Sequence, residues 1–151
     1  MKKWLGCVLL AGILFFIASA LISTEEVYCY DSLEAGIQDN ILNADDEVLG
    51  RTKYQDLELV WVYEWFNGRW GYYCLIFENQ ENNYILKEQS QILVDEILTM
   101  IMPIEMCDGN SCKLRFGIRS GDDVEDALKE YSKISGKNGQ FIMYHIGSAE
   151  E

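Results

Sequence analysis

Leu57-Glu58-Leu59-Val60-Trp61-Val62-Tyr63-Glu64-Trp65-Phe66 runs into Asn67-Gly68 and returns as Arg69-Trp70-Gly71-Tyr72-Tyr73-Cys74-Leu75-Ile76-Phe77. Two β-rich runs joined by Asn-Gly are the signature of a β-hairpin, because a type I′ turn needs positive φ at both central residues and Asn and Gly tolerate it best. A two-residue turn also fixes the register. Phe66 must oppose Arg69, Trp65 oppose Trp70, Tyr63 oppose Tyr72 and Trp61 oppose Cys74.

One face of the expected hairpin is an aromatic ladder of Trp61, Tyr63, Trp65, Trp70 and Tyr72. The other carries Val60, Val62, Phe66, Tyr73, Leu75 and Phe77, with Glu64 and Arg69 toward the tip. Both faces are apolar enough to need cover, which places the hairpin at the centre of the domain. The predicted fold is therefore α+β, a mainly antiparallel sheet built on a central hairpin (about 57–77) with two or three packed helices, and disulfide-bonded.

The aromatic face invites a carbohydrate platform, since flat rings stack on sugars. Cross-strand aromatic pairs covered by a helix explain the same residues more economically. Only Trp65 and Trp70, beside the turn, are expected to stay partly exposed. Trp65, Asn67, Arg69 and Trp70 are accordingly the candidate binding residues; the competing reading makes both tryptophans core residues beneath a helix at 90–101.

The chain has 151 residues, with 12 Lys+Arg against 25 Asp+Glu and a net charge of −13. A hydrophobic content of 49% exceeds that of a disordered chain, so the charge sits on a folded body. Nucleic acid is excluded as a partner, because phosphates attract clustered Lys and Arg.

Met1-Lys2-Lys3, the apolar run Trp4 to Ile17 and Ala18-Ser19-Ala20 form the three-part pattern of a signal peptide. Residues 1–20 are read as that leader. A retained anchor at about 4–24 is the alternative, the uncharged stretch Trp4 to Thr24 being 21 residues long. Either way 25–147 is expected as one exported domain, periplasmic or extracellular, followed by an acidic tail at 148–151, and the membrane is met only through the N-terminal segment. Removal of Lys2 and Lys3 with the leader leaves 10 cations and 25 anions, a net charge of −15.

Cys29, Cys74, Cys107 and Cys112 lie in the exported part. An even count in an oxidising compartment reads as two disulfides. Cys107 and Cys112 flank the turn-rich Asp108-Gly109-Asn110-Ser111, so the expected pairs are Cys107–Cys112 and Cys29–Cys74. A redox or zinc role fits worse, since redox pairs favour two intervening residues and zinc takes four ligands.

Elsewhere, Leu33, Ile37 and Ile41 predict a helix at about 31–43 with Asp31 or Ser32 as N-cap. The run Asp45-Asp46-Glu47 could be read as a calcium site, but it lacks the alternating ligands of an EF-hand loop, and a solvated charge run is expected. A strand at 84–88 and a helix at 90–101 ended by Pro103 are expected next. Met100, Met102 and Met106 read as core filling, with no metal site. A strand at 113–119 follows, then a helix opened by Asp122 with Glu125 as a capping box, and a last strand at 140–146.

Catalytic equipment is sparse. His145, the only histidine, lies in an apolar strand, and no nucleophile motif, phosphate loop or dinucleotide fingerprint occurs. The expectation is a non-enzymatic, cofactor-free acidic binding protein, an inhibitor or immunity-like module acting in the cell envelope on a basic partner protein. A membrane-anchored structural subunit of an envelope assembly and a carbohydrate or small-ligand binder are the alternatives.

Overall fold

The computed structural model describes residues 28–41, 43–94, 100–120 and 131–149. They form two antiparallel sheets and, among the described residues, one helix. The strands are β1 (Cys29–Tyr30), β2 (Glu47–Tyr54), β3 (Leu57–Phe66), β4 (Arg69–Gln80), β5 (Asn83–Gln89), β6 (Met100–Glu105), β7 (Ser111–Ser120), β8 (Ser132–Ser135) and β9 (Gln140–Ser148); helix α1 spans Leu33–Asn40. The first sheet has the order β1-β5-β4-β3-β2 and the second β6-β7-β9-β8.

The β3–β4 hairpin has the pairs its turn dictates, Phe66 with Arg69, Trp65 with Trp70, Tyr63 with Tyr72 and Trp61 with Cys74. Asn67 and Gly68 have φ of 49° and 82°, the left-handed pair that a type I′ turn requires. Strand β4 is the middle strand of its sheet, and both faces of the hairpin are covered. Leu57, Leu59, Trp61, Tyr72 and Ile76 pack against Ile104, Leu114, Phe116, Ile118 and Ile142 of the second sheet. On the opposite face Val60, Val62, Tyr73, Leu75 and Phe77 pack against Leu33 and Ile37 of α1. The aromatic ladder is thus roofed by a sheet, where a helix was expected, and the helix covers the other side.

Three polar links join the layers. Thr52 Oγ1 lies 2.9 Å from the Tyr144 hydroxyl. The Tyr72 hydroxyl donates to Gln140 Oε1 at 2.8 Å and accepts from Lys137 N–H at 3.0 Å. The carboxylate of Glu78, buried in the first sheet, accepts the Cys107 N–H through both oxygens at 2.8 and 3.1 Å. Each satisfies a buried polar group that would otherwise cost about 1–3 kcal/mol.

Two expectations fail. The first is the helix count. Helix α1 is present, with the Ser32 side chain accepting from Ala35 N–H at its start. The helix expected at 90–101 is not formed by its described residues, 90–94 and 100–101; 95–99 lie outside the described residues. The Cys74 N–H donates to Ser90 Oγ, a side chain standing in for a strand carbonyl, and Leu93 then exchanges both backbone hydrogen bonds with Tyr72. The chain therefore continues along β4 after a local break. Beyond it, Met100 and Met102 are half-buried and Ile104 and Met106 buried, alternating with exposed Ile101, Pro103 and Glu105, which is strand period. Pro103 is tolerated because β6 is an edge strand, where one side of the ladder has no partner to lose. The helix expected from Asp122 lies outside the described residues, as do the leader and the tail beyond 149.

The second is the disulfide framework: Cys29, Cys74, Cys107 and Cys112 are all free thiols. Cys112 faces Ile104 in the β6–β7 register and its side chain is buried, whereas Cys107 lies exposed in the connecting turn. Cys29 pairs with Ile85 of β5, and β5 separates β1 from β4. Two strand spacings are roughly 9.6 Å, beyond the reach of a disulfide between Cys29 and Cys74.

Candidate functional site

At the turn end of the β3–β4 hairpin the burial pattern changes abruptly. Residues Leu59 to Glu64 and Gly71 to Glu78 are buried, while Trp65, Phe66 and Trp70 are 50%, 44% and 38% exposed. The second sheet and α1 cover the hairpin stem and stop short of its tip. Among the described residues these three, with Tyr28 and Ile101, are the large exposed hydrophobics.

The tip is ordered by its own rings. Trp70 stacks on Tyr63 with centroids 4.6 Å apart and planes 7° from parallel. Trp65 meets Trp70 edge-on at 5.3 Å, and Tyr63 continues to Tyr72 at 5.0 Å. Since Tyr63 and Tyr72 are core residues, the chain of rings runs from the interior to the exposed edge of Trp65. Aromatic pairs of this kind contribute about 0.5–1.5 kcal/mol beyond their burial.

All four candidate binding residues, Trp65, Asn67, Arg69 and Trp70, fall at this tip. Phe66, which the alternation assigned to the opposite face and which pairs with Arg69, is also exposed at the tip. Its position next to the turn was the signal, since the residues flanking a two-residue loop lie beyond whatever covers the stem. A five-ring sugar platform is not available: Trp61, Tyr63 and Tyr72 are buried.

Acidic groups flank the tip. Glu47 pairs with Tyr63, so the turn before β2 lies beside the end of β3, and Asp45 and Glu47 are exposed there. Glu47 forms an ion pair with Lys137. Along β7, Lys113, Arg115 and Arg119 alternate with buried Cys112, Leu114, Phe116 and Ile118, which puts those cations on the outer face of the second sheet, away from the α1 side.

Other chemistry-bearing groups lie elsewhere. His145 sits on β9 opposite Arg115, with the Tyr131 ring 6.1 Å away. Glu78, Lys87 and Cys107 converge at the layer junction: Lys87 Nζ is 3.5 Å from Glu78 Oε2 and 3.4 Å from Cys107 Sγ. Burial, then the thiol's hydrogen bond to the Glu78 carboxylate, pushes Cys107 up. Burial likewise raises Cys74 and Cys112. Such thiols are poor nucleophiles at neutral pH. Two surface grooves, of about 430 and 420 Å³, border the β1–β5 edge and the cleft between α1 and β2; neither is lined by the tip aromatics. Among the described residues no three His, Cys, Asp or Glu side chains converge as a metal-binding group.

Comparison with known proteins finds no matching family model, no matching curated protein and no matching solved structure.

Proposed function

We propose that the chain is an exported acidic binding protein that presents the tip of its β3–β4 hairpin to a basic protein, in the manner of an inhibitor or immunity module. The observation that carries this reading is the exposed Trp65, Phe66 and Trp70 on a hairpin whose stem is buried on both faces. Tryptophan and arginine are among the side chains that most often anchor interfaces. A tip already fixed by ring stacking loses little conformational entropy on binding, and that cost is a main debit against affinity.

Charge supplies the partner's sign. With a net charge of −13 and exposed Asp45 and Glu47 beside the tip, the chain attracts cationic proteins and accelerates encounter with them, an effect that weakens as salt screens it. A basic cell-wall hydrolase or toxin has the required chemistry.

The test is to immobilise the full chain, expose it to the exported-protein fraction of its own source, and elute with rising salt. The expected eluate is a basic protein that leaves as ionic strength rises. Retention of neutral or acidic proteins only, or elution by free sugar, would overturn the reading, the latter in favour of a carbohydrate binder.

A further inference from the structure

On the helix-facing side of the hairpin, three polar side chains meet where apolar ones would be expected. The β2–β3 register pairs Glu47 with Tyr63 and Val48 with Val62, so Asp46, the residue just before β2, lies toward the Glu64 end of β3. Across the hairpin, Glu64 pairs with Gly71 and the neighbouring position on the same face is Tyr73, paired with Val62. Gly71 leaves room that Ile92 and Val94 fill: a Cβ there would meet Ile92 Cγ2 at 2.5 Å and Val94 Cγ1 at 3.0 Å. Those side chains help to close the site, and Glu64 is 2% and Tyr73 0% exposed.

Within this covered corner Asp46 Oδ1, Glu64 Oε2 and the Tyr73 hydroxyl are all buried and have no hydrogen-bond partner. The second oxygen of Asp46 accepts the Asn43 N–H at 3.1 Å, which holds the carboxylate in place. Neither carboxylate joins an ion pair among the described residues. Burial, with the charge of Asp46 added to it, raises Glu64; burial followed by the charges of Glu64 and Asp46 raises Tyr73. The three groups therefore sense one another. Unpaired buried polar atoms are rare in native proteins, and each one calls for a partner.

We propose that Asp46, Glu64 and Tyr73 form a binding site for one hard divalent cation, with Ca²⁺ the best match. The donors are all oxygen, the preference of Ca²⁺ and Mg²⁺, and two carboxylates balance a double charge. An irregular set of protein oxygens suits Ca²⁺, which accepts varied geometry, better than Mg²⁺, which demands a near-ideal octahedron. Asp46 is only half-buried and provides the way in. With two carboxylates the affinity belongs at the weak end for such sites, with a dissociation constant of about 10⁻⁴–10⁻³ M. The bound ion would fasten the turn before β2 to the hairpin just behind its tip.

The test is thermal unfolding of the full chain, stripped with chelator, against CaCl₂ or MgCl₂ at constant ionic strength. Ca²⁺ is expected to raise Tm saturably by about 2–4 °C or more, the shift that one kcal/mol of linkage gives in a chain of this size, with Mg²⁺ acting more weakly. Glu64→Gln and Tyr73→Phe, both close in shape to the native residues, should each weaken the apparent Ca²⁺ affinity at least tenfold. Asp45→Asn, which removes an exposed charge from the same turn, should leave it unchanged. A wild-type Tm indifferent to both ions would overturn the proposal. Equal loss of the response in Asp45→Asn would overturn it too, by showing diffuse surface binding.

Discussion

The ring of Trp70 lies flat on that of Tyr63, 4.6 Å away, so that a residue 38% open to solvent is braced by one that is buried. This contact divides the aromatic ladder into a structural part and a presented part. Trp61, wedged against Phe116 and Tyr144 between the sheets, belongs to the first. Trp65, at the far end of the stack, belongs to the second.

Alanine at each of the three tryptophans should therefore give graded stabilities. Trp61→Ala should cost about 3–5 kcal/mol, as for other large core truncations. Trp70→Ala loses a stacking partner and part of its burial and should cost about 1–2 kcal/mol. Trp65→Ala should stay within about 1 kcal/mol of the parent. Urea unfolding midpoints at equal slope measure the series, and a Trp65→Ala loss matching that of Trp61→Ala would place the tip inside the core.

The thiols separate by exposure. Cys29 and Cys107 are exposed and Cys74 and Cys112 buried, so alkylation of the native chain should label the first pair and reach the second only on unfolding. Labelling of Cys107 should quicken as pH rises, because burial and Glu78 hold its thiol above the ordinary range. Peptide mapping without reductant reads both points; a Cys107–Cys112 cross-linked peptide would contradict the β6–β7 register.

How much of this was legible in the chain follows from which interactions are local. Asn67-Gly68 carries its turn type in two residues, and everything in the β3–β4 register follows from it. The Ser32 cap of α1 is equally local. The segment after Gln89 was not legible in the same way: Ile92-Leu93 reads as the start of a helical stripe, and long-range contacts, the Ser90 hydroxyl bonded to Cys74 N–H across 16 residues among them, turn the chain along β4. The alternation from Met100 to Met106 was a usable strand signal, masked by reading Pro103 as a helix stop. Cysteine parity misled because pairing depends on strand order, and β5 inserts between Cys29 and Cys74. The Asp46–Glu64 juxtaposition depends on β2, a strand whose mixed polar sequence gives little pattern.

The link between Glu78 and Cys107 should be felt in stability. Glu78→Ala strands the Cys107 N–H and removes the ion-pair partner of Lys87, and should cost about 2–4 kcal/mol. Glu78→Gln keeps an acceptor for the N–H and should cost less. Chemical denaturation of both variants checks the order; equal stabilities of Glu78→Ala and the parent would remove this contact from the forces joining the sheets.

The pH dependence of the chelator-stripped chain should carry the sign of Glu64. Its carboxyl is raised by burial and by Asp46, so the folded chain keeps the proton after the unfolded chain has lost it. Stability then declines as pH rises from the ordinary Glu value, about 4.3, through the higher folded one, and the decline is complete above it. Glu64→Gln should remove that component, leaving the variant more stable than the parent at neutral pH and similar to it in acid. Thermal unfolding across pH 4 to 8 measures the difference; a variant whose deficit grows as pH rises would give Glu64 the opposite role.

The measurement that decides whether the hairpin tip is an interface is a side-by-side capture by the parent chain and the Trp65→Ala/Trp70→Ala double variant from the same exported-protein fraction, each first shown to be folded by circular dichroism. The parent should retain a basic protein at low salt, and the folded double variant should lose it, since truncating a pair of anchoring tryptophans costs about 2 kcal/mol or more of binding at each. Retention of the same protein by both chains, with the same salt dependence, would contradict the tip as the interaction surface.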